Sequence, residues 1–521
     1  MVTAVVLTVM SVGAQRRYSC TANLHERQAD TTVVGDSVRG ATRGTLGYPS
    51  QQWDPQRTYR QPVVLISFSD CDFSMAEPAA YYDRILNEPG YNEGAGPGSM
   101  ADYFRDQSRG CFNLQFDVFG PVRVDVPVKS ETGGVCYGSG TVQKALRRLV
   151  ETSGADFAPY DWDGDGQVDQ VICIAAGYSG SQVSGYVWPN TGSTSVTISD
   201  GLRFSIYSLS CELWADGTSC GIGTICHEFS HCLGLPDLYP LTTDESAPFS
   251  VVDEWDLMDG GNYTGRGWCP PNYSAMERML LGWDEPQELT APASVTGMRP
   301  AGEGGESYIV RNPANTDEYF LLENRQRTGW DYGLPGEGLV ICHVDYDRER
   351  WSNNLVNSRK DHFRYDLVHA DNRDYRNWDP ANNGRDLEKY TMDGWLRNRY
   401  LSTSAYPWSS PETGLVNREF SDTSVPAATV YAAQADGSRL LSRPITNIHL
   451  DHDQTISFDF MGDAAGIKGA VSQRSGTSPD GSGHAVCYDL TGRRLQAPPS
   501  SGSVYIRTEP GFKSRVKIFI R

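Results

Sequence analysis

The stretch Cys226-His227-Glu228-Phe229-Ser230-His231-Cys232-Leu233-Gly234-Leu235-Pro236-Asp237 decides how the surrounding chain must fold. His227 and His231 lie four residues apart, so a helix would place both imidazoles on one face, one turn apart. In that arrangement they can bind a single metal ion. Glu228 stands beside the first histidine, where its carboxylate can hold a metal-bound water and accept its proton.

The residues after the second histidine extend the pattern. Gly234 can adopt a left-handed conformation that ends the helix and turns the chain back toward the metal. Asp237, three residues further on, is therefore predicted to be the third protein ligand of a zinc ion, which leaves the fourth position open for water. The alternative third ligand is Glu254, in an arrangement whose acidic ligand comes later in the chain.

A tight turn follows in Trp255-Asp256-Leu257-Met258-Asp259-Gly260-Gly261. The extended histidine motif and a downstream methionine in such a turn together resemble the metzincins, whose Met-turn forms an apolar floor beneath the zinc. Met258 is the matching residue. Some metzincins carry a tyrosine two residues after this methionine to support the oxyanion. Gly260 stands there in this chain, and Tyr263 or Tyr239 is the candidate substitute.

An acidic loop at 161–169 predicts a second metal. Its oxygen-bearing residues and the glycine at its sixth position resemble a calcium loop of the EF-hand type. The twelfth position is Ile172 rather than the usual glutamate, and a strand-like run follows, so we expect a structural calcium loop on a strand. The alternative is a solvated Asp/Gly turn. The predicted calcium ligands are Asp161, Asp163, Asp165, Gln167 and Asp169.

Composition limits the partners. The 521 residues carry 45 Lys and Arg against 65 Asp and Glu, a formal charge of −20. This charge argues against nucleic acid or an anionic membrane surface as a partner. Residues 1–14 are apolar but too short to span a bilayer, and Gly13 and Ala14 suit cleavage before Gln15, so we predict a signal peptide. A buried N-terminal strand is the alternative, and no other stretch is apolar and long enough to span a membrane.

The twelve cysteines of an exported protein raise the question of disulfides. Cys226 and Cys232 point in different directions on the predicted helix and cannot bond to each other. Cys211 and Cys220 flank a short loop, and their pairing is left open. Cys20 is a weak candidate for a latency ligand of the zinc.

The chain divides by pattern into six segments. After the signal peptide, residues 15–58 form an N-terminal arm or short pro-segment. Residues 59–294 carry helical and strand-like runs and are predicted to be the catalytic domain, with a backing helix near 142–150. Residues 295–462 contain short strands separated by Gly, Pro and Asn, which indicates a β-rich domain, most simply a sandwich. Residues 463–484 form a linker, and 485–521 form a C-terminal tail.

Several motifs together resemble the immune inhibitor A family of secreted metallopeptidases, in a form common among Bacteroidetes. They are the runs at 101–110, 161–169, 223–231, 255–258 and 322–326. The resemblance implies an α+β metzincin-like catalytic domain, with a twisted sheet, an active-site helix and a backing helix, followed by a β-sandwich-like domain. The tail, through its run 488–494, resembles the closing part of a type IX secretion sorting domain, which implies the secretion machinery as a partner.

The sequence thus predicts a secreted or cell-surface zinc endopeptidase that acts on proteins or peptides. Zinc would polarise the scissile carbonyl, and Glu228 would deprotonate the attacking water and pass its proton to the leaving amine. Two other classes stay open: a surface binding protein with a structural metal site, and a metal-dependent hydrolase of non-peptide substrates. A structural site would require a fourth Cys or His ligand, and Glu228 would then be unnecessary.

Overall fold

The computed structural model describes residues 53–130, 136, 138–242, 248, 250–373, 401–410 and 413–462, together with the backbone of four strands between 486 and 520. The chain forms two compact units, Met1–Ile467 and Lys468–Arg521. The predicted signal peptide, most of the N-terminal arm and the predicted linker lie outside the described residues. No helix within the described residues is long and apolar enough to cross a membrane.

A six-stranded sheet forms the first half of the larger unit. Its strands are β1 (Thr58–Ser67), β2 (Asn113–Arg123), β3 (Gln167–Val168), β4 (Val171–Tyr178), β5 (Asn190–Ser199) and β6 (Leu202–Leu213). The order is β2-β1-β4-β6, with all three pairings parallel, and the short β3 also lies parallel to β6. β5 runs antiparallel to β6 and is the edge strand on that side of the described sheet.

Four helices accompany this sheet: α1 (Pro78–Asn87), α2 (Met100–Gln107), α3 (Ser139–Ser153) and α4 (Gly223–Leu233). Ser99 caps α2 through a reciprocal capping box with Asp102. α3 is the predicted backing helix.

Side chains alternate along the central strands between two apolar clusters. Val63 and Leu65 of β1 pack in the cluster that contains Phe229 of α4, whereas Val64 and Ile66 pack in the cluster that contains Leu146 of α3. The period of two along a strand therefore places α3 and α4 on opposite faces of the sheet.

In the second half of the larger unit, the described residues form two larger sheets, one two-stranded sheet and two short helices. The five-stranded sheet has the order β12-β11-β10-β9-β7 and the three-stranded sheet the order β15-β16-β8. Their strands are β7 (Gln287–Glu288), β8 (Ala293–Met298), β9 (Tyr308–Asn312), β10 (Asn315–Arg325), β11 (Gly338–Asp345), β12 (Tyr365–Leu367), β15 (Ile445–Leu450) and β16 (Ile456–Phe460), with a separate pair β13 (Trp408–Ser409) and β14 (Val416–Asn417). The helices are α5 (Ala275–Leu280) and α6 (Arg348–Ser352).

The five-stranded sheet is buried on both faces. On one face, Phe320 and Ile341 share an apolar cluster with Phe458 of the three-stranded sheet. On the other, Leu321 and Val340 belong to the cluster that contains Phe229 of α4. Residues on both sides of position 295 therefore contribute to one continuous core, because a sheet with two apolar faces must cover both.

The smaller unit contains one antiparallel sheet of order β18-β17-β19-β20. Its strands are β17 (Val486–Tyr488), β18 (Arg494–Leu495), β19 (Val504–Thr508) and β20 (Lys517–Ile520). The predicted tail at 485–521 contains all four strands, and its predicted role in export stays a prediction.

Candidate metal centre

Helix α4 carries the two histidines and is buried along its whole length. It begins at Gly223, where a Cβ atom would lie 2.2 Å from the carbonyl oxygen of Asn262, so only glycine fits. It ends at Gly234, which has φ of 108° and a left-handed conformation. The amides of Gly234 and Leu235 close the helix onto the carbonyls of His231 and Ser230. The predicted helix-ending glycine is thus found.

Both imidazoles are held through Nδ1. His227 Nδ1 lies 2.8 Å from the carbonyl oxygen of Leu257, and His231 Nδ1 lies 2.7 Å from that of Leu235. A carbonyl can only accept, so each Nδ1 carries the hydrogen and donates it. Each Nε2 then faces away from these carbonyls, which is the orientation of histidines that bind a metal.

Asp237 completes the group. Its Oδ1 lies 3.4 Å from His227 Nε2 and 3.3 Å from His231 Nε2, and all three side chains are almost fully buried. Two ligands each about 2.0–2.1 Å from a tetrahedral zinc ion are about 3.3 Å apart, so this donor set fits zinc in both chemistry and spacing. Among the described residues, Glu254 is not part of this group of potential ligands.

The turn around Met258 ties two ligand segments together. The Leu257 carbonyl accepts from His227, and the next carbonyl, that of Met258, accepts from the amide of Leu238 at 2.8 Å. The backbone amide of Met258 donates to Asp256 Oδ1 at 2.8 Å, and this hydrogen bond stabilises the turn. Met258 itself is fully buried in the core that contains Phe229. The predicted Met-turn residue is therefore buried in the core next to a turn whose backbone holds His227 and the segment after Asp237.

Glu228 points back to strand β5. The hydroxyl of Thr191 lies 2.6 Å from the Glu228 carbonyl oxygen and 3.0 Å from its Oε2, so its one hydrogen is shared between the two acceptors. Both residues are buried. Burial raises the pKa of Glu228 to about 8, while a protonated His227 and the Thr191 hydroxyl act in the opposite direction.

The charges of the metal-free group are strongly coupled. Burial lowers the pKa of His227, but the hydrogen bond with Asp237 and the charges of Glu228 and Asp237 outweigh it and raise the pKa to about 9. Burial acts to raise the pKa of Asp237, yet the two neighbouring histidines hold it well below its usual value. The imidazole of His227 and the carboxylate of Asp237 therefore stabilise each other's charged forms.

A residue from the β-rich half also touches this group. Asn354 donates from Nδ2 to Asp237 Oδ2 at 2.7 Å and accepts from the Asp237 amide at 2.6 Å. Neither Asn354 nor Thr191 belongs to a sequence motif, and no signal in the sequence marks them. Both come near the centre only because distant strands and helices fold together.

The acidic loop brings together part of the predicted calcium set. Carboxylate oxygens of Asp161, Asp163 and Asp169 lie within 4.8 Å of one another, and the Asp165 carboxylate is not part of this group. The loop amides of Gly164, Asp165 and Gly166 all donate to Asp161, and the Trp162 amide donates to Asp169. The carboxylates of Asp161 and Asp169 thus accept hydrogen bonds from backbone amides of their own loop. Gln167 begins β3, where its amide donates to Asp165.

The remaining candidates are a surface tyrosine and the cysteines. Tyr263 is 44% exposed and packs beside Trp214. The ten cysteines of the described residues are free thiols, so the Cys211–Cys220 pairing left open by the sequence does not form, and Cys226 and Cys232 do not pair either. Cys20 lies outside the described residues.

Comparisons with known proteins agree with this site. Residues 201–281 match the family model described as immune inhibitor A peptidase M6, catalytic domain. That segment contains β6, α4, the third candidate ligand and the Met258 turn. The match indicates a metallopeptidase type of site and supports the general part of the resemblance found in the sequence.

Two relatives are similar over longer stretches. The pre-pro-metalloprotease PrtV of Vibrio cholerae serotype O1 (strain ATCC 39315 / El Tor Inaba N16961) is 23% identical over 274 residues, which cover 45% of this chain and 29% of the relative. Immune inhibitor A of Bacillus thuringiensis subsp. alesti is 23% identical over 316 residues, 49% of this chain and 44% of the relative. The chain thus spans less than half the length of either relative.

Proposed function

We propose that this chain is a secreted zinc-dependent endopeptidase that hydrolyses peptide bonds of proteins. The observation that carries the proposal is the convergence of His227 Nε2, His231 Nε2 and Asp237 Oδ1 within 3.3–3.4 Å contacts, with the Glu228 carboxylate one residue along the helix. The similarity of residues 201–281 to a peptidase catalytic domain supports the same reaction class.

The three ligands would hold zinc, which when bound polarises a carbonyl and makes a water acidic. Glu228 would accept the proton of the attacking water and transfer it to the leaving amine. Thr191 would keep Oε2 of Glu228 in place through its hydroxyl. Since both histidines donate from Nδ1 to carbonyls, these bonds would keep their Nε2 atoms oriented to hold the ion.

The test is proteolysis of casein by the purified protein with a zinc chelator, without it, and after zinc is restored. We expect activity to disappear with the chelator and to return with zinc. Glu228→Ala should retain zinc, because Glu228 is not a ligand, and should lose at least about a hundredfold in activity, the usual scale for a general base. Proteolysis that persists in Glu228→Ala would refute the mechanism.

The same experiment distinguishes an endopeptidase from a surface binding protein with a structural metal site and from a metal-dependent hydrolase of non-peptide substrates. A structural metal site would give a protein that binds zinc, is stabilised by it and cleaves nothing. A hydrolase of non-peptide substrates would leave casein intact but cleave small esters or amides in a manner that depends on both zinc and Glu228.

Export follows from the predicted signal peptide, whose residues 1–14 lie outside the described part of the chain. We propose that the mature protein begins near Gln15 and is found in the medium or at the cell surface. N-terminal sequencing of active extracellular protein tests this. An intact Met1 on that protein would refute cleavage at this site.

We propose in addition that the loop 161–169 binds calcium as a structural ion. The grouping of Asp161, Asp163 and Asp169 oxygens supports this, since calcium prefers carboxylate oxygens and tolerates irregular geometry. Histidine nitrogens at the other site suit zinc better, so the two ions would be sorted by ligand type.

A further inference from the structure

The third candidate ligand is held at two points by one residue from the β-rich half of the chain. Asn354 Nδ2 donates to Asp237 Oδ2 at 2.7 Å, and Asn354 Oδ1 accepts from the Asp237 backbone amide at 2.6 Å. The two residues are 117 positions apart, and each is only 1% exposed. A single amide side chain thus fixes both the backbone and the carboxylate of Asp237.

The two oxygens of Asp237 consequently have different partners. Oδ1 faces His227 and His231, whereas Oδ2 is bonded to Asn354. This division leaves one oxygen for a metal and prevents the carboxylate from rotating to bind through both. The Asn354 amide is also neutral, so Asp237 keeps its full negative charge for the ion. A Lys or Arg at this position would instead neutralise much of that charge.

Asn354 is itself held firmly. It lies just beyond α6 with φ of 55°, a left-handed conformation that asparagine adopts more readily than most residues. The backbone amide of Asn354 donates to the carbonyl of Trp351, whose side chain is fully buried. The backbone at Asn354 is therefore anchored to a residue of the core.

A second asparagine of the same segment, Asn357, also bonds to the chain next to Asp237. Asn357 donates from Nδ2 to the carbonyls of Leu238 and Tyr365, both at 2.7 Å, and its Oδ1 accepts from the amides of Arg364 and Tyr365. The segment after α6 is therefore fastened to the Asp237–Leu238 segment by two asparagines. One of them contacts the ligand itself, and the other contacts only its neighbour.

We propose that Asn354 is a positioning residue that orients Asp237 for the metal, so that the zinc centre is completed by a residue outside the matched segment 201–281. The proposal rests on the proposed zinc site. Asn354 does not touch the ion or the reacting atoms, and its contribution is to the affinity for the ion. Residues that hydrogen-bond to metal ligands typically change metal affinity by about 10- to 100-fold when replaced.

The test measures zinc affinity of the full chain by competition with a chromophoric chelator, without any substrate. Asn354→Gly removes the amide and keeps the left-handed backbone, because glycine adopts positive φ at no cost. We expect its zinc dissociation constant to rise by about 10- to 100-fold. Asn447→Gly is the matched control, since Asn447 also has positive φ, 53°, but is exposed in β15. We expect no change in the control.

A second variant tests the charge at this position. Asn354→Asp has nearly the same shape but places a buried carboxylate against Asp237 Oδ2, so we expect a loss of zinc affinity at least as large. Because two buried carboxylates repel each other, its metal-free melting temperature should also fall, and zinc affinity is compared at a temperature where the variant is folded. Zinc affinity within twofold of the wild type in either folded variant would overturn the proposal, and so would a wild-type chain that binds no zinc. A wild type that binds zinc but cleaves no casein would overturn only the proposed function.

Discussion

The Nδ1 atom of His227 lies 2.8 Å from the carbonyl oxygen of Leu257, and the carbonyl of the following residue, Met258, accepts from the amide of Leu238. One peptide turn thus orients the first candidate ligand and anchors the segment that carries the third. The methionine side chain of this turn packs in the apolar core, while its backbone and that of Leu257 make the contacts with the ligand segments. Substitutions at Met258 that conserve the side-chain volume should therefore have smaller effects than those that remove it.

Replacing Met258 by alanine should destabilise the protein and weaken zinc binding together. The side chain is fully buried, so its removal leaves a cavity and should lower the free energy of unfolding by about 2–5 kcal/mol. Met258→Leu conserves volume and should cost less than about 1.5 kcal/mol. Chemical denaturation and zinc titration of both variants test this. Equal zinc affinity in a destabilised Met258→Ala protein would show that the turn does not position the ligands.

Asp237→Ala should release zinc under mild dialysis, whereas Glu254→Ala should retain it. The reason is that Asp237 Oδ1 lies within 3.4 Å of both imidazoles, while Glu254 is outside that group. Metal content after dialysis, measured by atomic spectrometry, decides between the two acids. The reverse pattern of loss would assign the ligand to Glu254 and exclude the proposed arrangement.

Thr191→Val should reduce proteolysis without releasing zinc. Valine has the same shape but cannot donate to Glu228, and a hydrogen bond to a charged group is worth about 1.5–3 kcal/mol, or roughly 10- to 100-fold in rate. Thr191→Ser should restore most of the activity. Thr197→Val, at an exposed position on the same strand, is the control. Full activity of Thr191→Val would show that Thr191 does not position Glu228 for catalysis.

Zinc affinity should fall as the pH is lowered below about 9. The pKa of His227 in the metal-free protein is raised to about 9. Below that value His227 carries a proton that zinc must displace, so each pH unit should cost about tenfold in apparent affinity. Competition titrations between pH 6 and pH 8.5 measure the slope. An affinity that does not change over this range would mean that no proton is released on binding.

Calcium added to chelated protein should raise its melting temperature, because an ion that binds only the folded state stabilises it by mass action. Asp163→Asn should abolish this rise, since Asp163 belongs to the group of clustered oxygens. Asp165→Asn is the matched control, because Asp165 lies in the same loop but outside that group. If both variants respond to calcium as the wild type does, the loop is an acidic turn without a bound ion.

The sequence predicts the local part of this architecture well. Helix α4, its end at Gly234 and the grouping of His227, His231 and Asp237 all follow from spacing within a dozen residues. Strand β4 and helix α3 likewise follow from short-range patterns in the sequence. Such features are encoded by neighbours along the chain, so a single sequence is enough to find them.

Contacts between distant segments could not be predicted in this way. Thr191 reaches Glu228 because β5 pairs with β6, and Asn354 reaches Asp237 because the segment after α6 is hydrogen-bonded to the segment after α4. The predicted second domain likewise shares its core with the first half, because the five-stranded sheet is apolar on both faces. Alternating apolar residues along a strand predict that one face of the sheet is buried, but they do not show which other element packs on that face.

The distance along the chain between Asp237 and Asn354 also sets an order of events during synthesis. The ribosome makes all three candidate ligands and Glu228 first, and 117 further residues separate Asp237 from the amide that orients it. Until that stretch has been made and α6 has docked, the nascent chain lacks a correctly held third ligand. A growing polypeptide would therefore fix the orientation of Asp237 late, after most of the protein has been made.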